Sequence, residues 1–387
     1  MHLSLATLLP LALAAPVIQP RGAAQVIPGS YIVKFKDGTS STKVQDTINS
    51  LPAVNPKHVY RHSKFKGFAA DLSSKTLKTV QGLPEVEYIE QNAVFTINDY
   101  VTQKDVPWGL ARISHRSKNQ TSYIYDESAG AGTCSYVIDT GIYVEHSQFQ
   151  GRATFLANFA NDNKLADGNG HGTHVAGTIG GIDYGVAKKT TLYAVKVLNA
   201  GGSGTTAGVI AGIDFVTADA PTRNCPNGTV ANMSLGGGRS TAINNAAAAL
   251  VKSGVFLAVA AGNSNDDSSW YSPASEPTAC TVGATDSADT RAWFSNYGSL
   301  VDIFAPGVDV LSSWIGGATE TETISGTSMA SPHIAGLAAY LLGLGTAPKE
   351  PVALCGYIAT TATKNAITDL PADTVNALGF NGNPAAE

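Results

Sequence analysis

Residues 255–263, VFLAVAAGN, form a continuous apolar run that ends in one polar side chain. A strand with one solvated face alternates apolar and polar residues, whereas a strand covered on both faces is apolar throughout. The run therefore predicts a central strand of a parallel sheet that helices cover on both faces. Asn263 is then expected near the carboxyl edge of that sheet, where such sheets bind their ligands.

The same pattern repeats on both sides of this run. Further short apolar runs predict strands of the same sheet at 134–139, 192–198, 230–235, 280–285 and 301–307. Helices are predicted at 171–181, 206–219, 241–253 and 328–343. Buried strands that alternate with helices predict a three-layer α/β fold with a doubly wound, mostly parallel sheet.

The chain before residue 99 is organised differently. Residues 1–15 are apolar and contain Ala12-Leu13-Ala14, which predicts a secretory signal peptide. Strands are predicted at 30–35, 65–72 and 86–97, and a helix at 42–51. These elements predict a small α+β domain over 16–98, followed by the main domain over 99–387. Residues 98–109 are polar, lack apolar periodicity and read as a linker.

Composition and charge narrow the possible functions. The 387 residues are 43% hydrophobic and include 40 glycines, which is typical of an ordered globular protein. Residues 1–98 carry a net charge of +4 and residues 99–387 carry −9, so we expect the two parts to attract each other. The larger part lacks a basic stripe and any run as long as a membrane helix, which argues against nucleic-acid binding and membrane insertion.

The number of cysteines suits an exported protein. An even number in such a chain is typical of disulfides. The four residues, Cys134, Cys225, Cys280 and Cys355, allow three pairings, and the residues alone leave the choice open.

The segment SGTSMASPHIAG at 325–336 holds a candidate nucleophile. Ser328 lies at the start of an apolar helix, where free N–H groups and the helix dipole favour negative charge. His333 is near in sequence but lies about 140° around the helix axis, so we expect it to be structural. Pro332 is expected in the first turn, because deeper in a helix it removes a hydrogen bond.

A serine nucleophile needs an imidazole within hydrogen-bond reach and a carboxylate that orients it. His171 lies in DGNGHGTHVAG at 167–177, among glycines that leave its ring accessible, and Asp139 ends a predicted strand. The chain order Asp, His, Ser and the lack of G-x-S-x-G argue against an α/β-hydrolase. His171 and His174 are three residues apart on a predicted helix, a spacing that suggests a zinc site. The glutamate of the helical H-E-x-x-H zinc motif and a third ligand are missing, so we expect His174 to be structural.

Four blocks resemble the signature blocks of the subtilisin-like serine proteases. They are VIDTGI at 137–142, GNGHGTHVAGT at 168–178, AVAAGN at 258–263 and SGTSMASPHIAG at 325–336. The segments PWGLARIS at 107–114, YIYDESAG at 123–130, SPASEP at 272–277 and FSNYGSLVDIF at 294–304 resemble the proteinase K subfamily of secreted fungal enzymes. The resemblance implies a subtilisin-like fold, a ferredoxin-like prodomain, and a secreted, broad-specificity serine endopeptidase made as an autoprocessed zymogen.

The resemblance assigns catalytic roles to the candidates. It implies that Ser328 is the nucleophile, that His171 is the general base and then acid, and that Asp139 orients it. The amide of Asn263 would stabilise the oxyanion together with the Ser328 N–H. No catalytic metal is implied.

The resemblance also assigns substrate contacts. Two glycine-rich edges would pair with a substrate backbone, Gly202, Ser203 and Gly204 on one side and Ser234, Leu235 and Gly236 on the other. Ala260, Ala261 and Gly262 would line the pocket for the residue before the scissile bond, with room for a large apolar or aromatic side chain. Thr206 stands where proteinase K has an aromatic side chain, so outer specificity would differ.

Structural sites are implied as well. The resemblance pairs Cys134 with Cys225 and Cys280 with Cys355. Calcium would be bound by the carbonyls of Pro277 and Ala279 and the carboxylate of Asp302, since calcium prefers oxygen ligands. A weaker calcium site would be lost, because Arg116 and Ala366 stand at its ligand positions. Val175 replaces a free cysteine of proteinase K, so sensitivity to thiol reagents is not expected.

Residues 16–98 resemble an inhibitory prosegment that would be cut near Asn98. The expected partners are protein or peptide substrates and this prosegment, and the enzyme is expected to be a monomer. Asn119 and Asn227 are candidate glycosylation sites, whereas a third sequon, at Asn232, lies in a predicted buried strand. Two alternatives remain, a catalytically dead binding protein and an ester hydrolase; the intact catalytic residues argue against the first.

Overall fold

The computed structural model describes residues 14–19, 26–52, 54–94 and 100–386. Residues 1–13 of the predicted signal peptide and the predicted cleavage site at Asn98 lie outside the described residues. The chain forms two compact units, Met1–Ile97 and Asn98–Glu387.

The first unit is a small α+β domain. Its elements are β1 (Val17–Ile18), β2 (Val26–Phe35), α1 (Ser41–Ser50), β3 (His58–His62), β4 (Phe65–Asp71), α2 (Ser74–Gln81) and β5 (Val86–Ala93). The sheet order is β1-β5-β2-β4-β3, and all pairs are antiparallel except β1 with β5. From β2 to β5 the elements follow the β-α-β-β-α-β order of ferredoxin-like folds, which confirms the predicted class.

Local sequence explains the helices of this unit. Each helix begins after a serine whose hydroxyl accepts a backbone hydrogen bond, Ser40 from the Lys43 N–H and Ser73 from the Thr76 N–H. The helices pack apolar residues against the sheet, and this core includes Val33, Phe35, Val44, Ile48, Phe68, Val80 and Ile89. Helix α2 and strands β1 and β3 were not among the predicted elements.

The second unit contains the remaining elements. Its helices are α3 (Trp108–Ser114), α4 (His171–Gly180), α5 (Thr206–Asp219), α6 (Thr241–Lys252), α7 (Thr327–Leu344) and α8 (Pro351–Thr361). Its strands are β6 (Tyr100–Lys104), β7 (Ser122–Asp126), β8 (Thr133–Asp139), β9 (Ala153–Asn158), β10 (Thr191–Lys196), β11 (Gly228–Met233), β12 (Gly237–Gly238), β13 (Phe256–Ala260), β14 (Tyr271–Ser272), β15 (Cys280–Thr285), β16 (Ile303–Pro306), β17 (Val310–Ser313), β18 (Thr321–Ile324), β19 (Thr363–Lys364) and β20 (Ala377–Leu378). Short 3₁₀ turns lie at Ser147–Phe149, Ala220–Thr222 and Ser268–Trp270.

Nine of these strands form one sheet in the order β19-β20-β16-β15-β13-β11-β8-β10-β9. Every pair is parallel except β19 with β20. The predicted doubly wound, mostly parallel sheet is therefore confirmed, and each of the predicted strands of the main domain lies in it.

Helices cover both faces of this sheet, which explains its continuous apolar strands. Val137 of β8 packs in one core with residues of α4 and α7, whereas the next residue, Ile138, packs in a second core with residues of α5 and α6. Successive side chains of a strand point to opposite faces, so both must be apolar when both faces are covered. None of the described helices is long and apolar enough to cross a membrane.

The segment predicted as a linker contains a strand. Residues Tyr100–Lys104 form β6, which pairs in antiparallel register with β7. Its residues alternate between exposed and half-buried, and its partner lies about twenty residues later in the sequence, so the segment alone shows little apolar periodicity. The linker interpretation of residues 100–104 was wrong.

Two disulfides join elements of the second unit. Cys134 in β8 is bonded to Cys225, and Cys280 at the start of β15 is bonded to Cys355 in α8. Their Cα atoms are 5.6 and 5.7 Å apart, within the usual range for disulfides. The structure has the pairing that the resemblance implies.

Candidate active site

Polar side chains lie where the central strands of the large sheet end. Asp139 is the last residue of β8, Ser234 follows β11, and Asn263 follows β13. Because these strands are adjacent and parallel, their carboxyl ends lie at one edge of the sheet. Ser328, in the first turn of α7, is hydrogen-bonded to Ser234 at this edge.

Asp139 and His171 form a hydrogen-bonded pair at this edge. The Asp139 side chain is fully buried, and its Oδ1 accepts hydrogen bonds from His171 Nδ1 at 2.8 Å and from the Thr140 N–H at 2.7 Å. Since a carboxylate only accepts, Nδ1 carries the imidazole proton and Nε2 remains a base. Burial lowers the pKa of His171, but the charge and hydrogen bond of Asp139 and the charge of Asp167 outweigh burial and raise it.

Ser328 is half-buried at the N-terminus of α7. Its hydroxyl donates to the Ser234 carbonyl at 3.1 Å and, among the described hydrogen bonds, makes none with His171. The Ser328 carbonyl accepts a hydrogen bond from the Ser234 hydroxyl at 2.7 Å. This reciprocal pair fastens the first turn of α7 to the segment that follows β11.

Pro332 makes that contact possible, and its position differs from the prediction. It lies inside α7 as the sixth residue from Thr327, beyond the first turn. A residue with an N–H at this position would bond to the carbonyl four residues earlier, which is that of Ser328. Because proline has no N–H, the Ser328 carbonyl is free to accept the Ser234 hydroxyl.

The amide of Asn263 is oriented by Thr327. Asn263 Oδ1 accepts hydrogen bonds from the Thr327 N–H and from the Thr327 hydroxyl, both at 2.8 Å. The other end of the amide, Nδ2, lies near the backbone nitrogen of Ser328: a Cβ added to Gly326 would be 3.5 Å from the first and 3.6 Å from the second. Two donors thus border the space left open by Gly326.

Two cavities lie beside these residues. The larger, about 430 Å³, is lined by both glycine-rich edges, including Gly202, Ser203, Gly204, Ser234, Leu235 and Gly236. His171 also lines it, and Val209 and Ile243 give it an apolar wall. Thr206 belongs to the lining as well and contributes a small polar side chain there.

The smaller cavity, about 210 Å³, reaches Ser328 and Asn263. Its lining includes Ala260 and Gly262 but not Ala261, which is fully buried and packs in a separate core with Val301 and Phe304. Ala261 points to the opposite side because side chains alternate along extended backbone. The side chain of Ala261 therefore points away from this cavity, between two residues that line it.

Sequence reasoning missed other residues of the smaller cavity. They are Gly237, Gly238, Ser264, Tyr271, Ser272, Ala274 and Thr327. Gly237 and Gly238 form β12, which pairs with β14 at Ser272 and Tyr271. The segment YSPAS at 271–275 could have been found through its proline and small residues, but two-residue strands carry no periodicity.

Comparisons with known proteins agree with this geometry. The model of the subtilase family matches residues 130–379, and the model of the peptidase inhibitor I9 family matches residues 30–98. The chain belongs to the subtilase family. The subtilase is a serine endopeptidase that carries an inhibitor prosegment.

Individual relatives match most of the subtilase. It is 57% identical to the subtilisin-like serine protease AsES of Sarocladium strictum over 96% of this chain and 94% of that protein. It is 55% identical to a cuticle-degrading protease of Metarhizium anisopliae over 99% of this chain and 100% of the other. The crystal structure of a cold adapted subtilisin-like serine proteinase matches with a TM-score of 0.66 and 46% identity, covering 72% of this chain and 98% of that one.

The other two histidines of the catalytic segments of the subtilase are engaged elsewhere. His333 Nδ1 donates to the Met329 carbonyl at 2.8 Å, and His174 Nε2 donates to the Val310 carbonyl at 2.9 Å. Burial lowers the pKa of each ring to about 4, so both are neutral near pH 7. Their buried backbone contacts agree with the structural roles predicted for them.

Among the candidate calcium ligands, Asp302 is a half-buried carboxylate at the end of the loop before β16. Asp302 Oδ2 accepts the Thr281 N–H at 2.8 Å, and burial raises the pKa of Asp302 to about 6. Among the described residues nothing donates a hydrogen bond to the Pro277 carbonyl. A half-buried carboxylate that forms no ion pair among the described residues, together with a carbonyl that accepts no hydrogen bond there, is chemically suited to calcium, which prefers oxygen ligands. Cys280 and Cys355 also lie beside Asp302, but their disulfide leaves no thiolate for a metal.

At the predicted lost calcium site, Arg116 supplies a cation of its own. Its guanidinium donates to the carbonyls of Ala362 at 3.3 Å and Thr361 at 3.4 Å, at the end of α8. It also lies over the ring of Phe380, 4.1 Å from the centroid. The positive charge therefore faces the negative end of the helix dipole.

The three sequons differ in accessibility. Asn119 is exposed, whereas Asn227 is half-buried and its Nδ2 donates to the Ala131 carbonyl at 2.8 Å. Asn232 is fully buried and is hydrogen-bonded to Ser234 and Ser331. Asn119 is the most accessible of the three.

Proposed function

We propose that this subtilase cleaves peptide bonds through an acyl-enzyme on Ser328, with His171 as general base and Asp139 as the orienting carboxylate. The observation that carries the proposal is the 2.8 Å hydrogen bond between buried Asp139 and His171 Nδ1, which leaves Nε2 free at the sheet edge where Ser328 lies. The family provides the peptidase activity, and these contacts support the assignment of residues.

The reaction begins when Ser328 Oγ turns from the Ser234 carbonyl toward His171 Nε2. As Oγ attacks the scissile carbonyl carbon, Nε2 takes its proton, and Asp139 stabilises the resulting imidazolium. The negative charge that develops on the carbonyl oxygen is received by Asn263 Nδ2 and the Ser328 N–H. Collapse of the intermediate breaks the C–N bond, and the imidazolium gives its proton to the leaving amine. Water then attacks the acyl-enzyme with His171 again as base, and cleavage of the ester bond releases the acid and restores the Ser328 hydroxyl.

We propose a broad specificity with a preference for large apolar or aromatic residues before the scissile bond. The smaller cavity is lined mostly by glycine, alanine and serine, so it is open to a large side chain and offers no charged partner within its lining. The larger cavity would receive side chains farther from the scissile bond, with Val209 and Ile243 favouring apolar ones. Main-chain pairing with the glycine-rich edges would bind most sequences alike.

We further propose the sequence of maturation. Residues 1–15 direct secretion, residues 16–98 act as the inhibitor prosegment, and the enzyme cuts itself near Asn98. Calcium at Pro277, Ala279 and Asp302 stabilises the mature enzyme, which acts as a monomer outside the cell. In that site the ion would neutralise the half-buried Asp302 carboxylate and would take no part in the chemical steps.

Expression of the precursor and of its Ser328→Ala variant tests the proposal. The wild type is expected to cut itself near Asn98 and to digest casein, whereas Ser328→Ala is expected to fold, remain full length and leave casein intact. Ser325→Ala, a nearby serine outside the proposed machinery, serves as the matched control and should mature. A processed, casein-digesting Ser328→Ala enzyme would refute the assignment of the nucleophile.

A further inference from the structure

A second buried carboxylate lies beside the proposed triad and has no part in the mechanism above. Asp167 is 8% exposed and lies in the loop just before α4, four residues before His171. An ionised carboxylate is costly to bury unless hydrogen bonds satisfy it. The contacts of Asp167 therefore show what this charge does for the fold.

Five donors satisfy the two oxygens of Asp167. Oδ1 accepts the Asn169 N–H at 3.0 Å, the Gly170 N–H at 2.9 Å and the Thr140 hydroxyl at 2.9 Å. Oδ2 accepts the Thr173 N–H at 3.0 Å and the Thr173 hydroxyl at 2.6 Å. Hydrogen bonds to an ionised acceptor are about twice as strong as those between neutral groups, so this set is rigid.

The donors come from two different elements. Gly170 and Thr173 belong to the beginning of α4 on either side of His171, whereas Thr140 directly follows Asp139. The Thr140 N–H donates to Asp139 Oδ1 at 2.7 Å, and its hydroxyl accepts the Gly172 N–H at 2.9 Å. Asp167 thus connects the turn that holds the base to the strand end that holds its orienting carboxylate.

Close packing leaves these two elements little freedom. A Cβ on Gly172 would lie 2.1 Å from the Gly141 carbonyl oxygen, so the helix and the segment after β8 touch backbone to backbone. A Cβ on Gly170 would lie 2.5 Å from the Trp314 ring, which covers the beginning of the helix. The position of His171 relative to Asp139 is therefore fixed by this packing together with the contacts of Asp167.

We propose that Asp167 is a positioning residue of the active site, whose carboxylate holds the helix turn of His171 against the strand end of Asp139. The inference rests on the triad assigned under the proposed function. The negative charge of Asp167 also affects the pKa of His171. Burial lowers this pKa, whereas the charge of Asp139 and, to a smaller extent, that of Asp167 raise it.

Replacement of Asp167 is expected to leave the charge states of the other groups near His171 unchanged. His174 and His333 are neutral above about pH 4, and Lys196 donates to the Thr140 and Leu198 carbonyls from the end of β10. The elements that pack against α4 are α7, β8, β10, β17 and the 3₁₀ turn at Ser147–Phe149. Besides His171, the acidic, basic and histidine side chains on these elements, on the residues directly before β17 and before the turn, and on α4 itself are His333, Asp139, Lys196, Asp309, His146 and His174. A shift in the pH profile on replacing Asp167 is therefore due to that carboxylate.

Asp167→Asn tests the proposal, because the amide keeps the shape, loses the charge and cannot accept at its nitrogen. We expect kcat per titrated active site to fall about tenfold or more while KM stays within about twofold, since Asp167 acts through His171. We also expect the acidic limb of kcat/KM to move to lower pH, since the imidazolium loses a stabilising anion. Glu350→Gln is the matched control: Glu350 caps α8 by accepting the Val352 and Ala353 N–H groups, and its replacement should change neither quantity.

An Asp167→Asn enzyme with unchanged kcat and an unmoved acidic limb would overturn the proposal, even if its melting temperature falls. If Asp167→Asn does not fold, Thr140→Val decides, because it removes the connecting hydroxyl and leaves the charge of Asp167. A lower kcat with an unmoved acidic limb would then support the proposal, and an unchanged kcat would overturn it. Activity retained by Ser328→Ala would instead refute the triad on which the inference rests.

Discussion

Gly326 leaves open the space that the two candidate oxyanion donors face. A methyl group on Gly326 would lie 3.5 Å from Asn263 Nδ2 and 3.6 Å from the Ser328 nitrogen. An oxyanion would need to approach both donors to about 2.7–3.1 Å. Gly326→Ala is therefore expected to obstruct the interaction that develops only in the transition state.

The expected loss of kcat can be estimated from the effect of removing one oxyanion donor. Loss of a single oxyanion donor lowers kcat by about 10²–10³, or about 2.7–4 kcal/mol of transition-state stabilisation. Gly326→Ala is expected to lower kcat by about 10², because obstruction weakens both donors without removing them. The fold should tolerate the change: φ is 161° and ψ is 162°, an extended conformation, and the nearest contact of the methyl group is an ordinary 3.5 Å.

The assay is steady-state hydrolysis of a peptide anilide, with enzyme concentration determined by active-site titration. Gly356→Ala is the matched control, since a Cβ at that position in α8 meets nothing within 4 Å. The control should keep its kcat, and both variants should keep the far-ultraviolet spectrum of the wild type. A Gly326→Ala enzyme with the kcat of the wild type would refute the reasoning about this space.

Three further predictions concern stability and specificity. Burial raises the pKa of Asp302 to about 6, so between about pH 4 and pH 6 the folded protein binds a proton that the unfolded chain releases. In the presence of a chelator, the free energy of unfolding should therefore fall as the pH rises from about 4 to about 6. Calcium should raise the melting temperature more at pH 8 than at pH 5, because Asp302 is ionised at pH 8. Arg112 and Asp289 form a buried, two-point ion pair at 2.7 and 3.0 Å, so Arg112→Ala should lower the free energy of unfolding by about 3–5 kcal/mol in urea titrations. Thr206→Tyr should reduce the larger cavity and lower kcat/KM for peptides with large apolar residues distant from the scissile bond, measured with a peptide library.

Each of these predictions has a control and a contradicting result. Asp302→Asn should abolish the effect of calcium on the melting temperature, whereas Asp309→Asn should retain it; an equal calcium effect in both would contradict the site. Arg239 is exposed, and Arg239→Ala should change stability by less than about 0.5 kcal/mol. A urea midpoint of Arg112→Ala equal to that of Arg239→Ala would contradict the buried pair. An unchanged peptide preference in Thr206→Tyr would show that residue 206 does not shape the cavity.

The central strands could be predicted because burial on both faces makes them continuously apolar. VFLAVAAGN contains β13, and the other predicted runs contain β8, β10, β11, β15 and β16. Among the missed strands of the second unit, β6 and β9 are half-exposed at the edges of their sheets, and β19 and β20 have two residues each. Such strands depend on partners distant in sequence, so their own residues carry a weak signal.

The candidate triad could be predicted because each of its members begins or ends an element with a clear pattern. The sequence could not show that Pro332 frees the Ser328 carbonyl, because that role depends on a contact with Ser234 nearly one hundred residues away. Nor could it show that Ala261 faces a core and that Asp167 connects Asp139 to His171. These properties depend on side-chain directions that are set only when the elements pack.

The most direct test of the account is to locate the residue that reacts with an aryl sulfonyl fluoride. Peptide mass spectrometry of the mature enzyme should place one adduct per molecule on Ser328. His171→Ala should abolish this labelling, because the serine is a weak nucleophile without its base. Labelling of another serine, or equal labelling in His171→Ala, would contradict the proposed catalytic site.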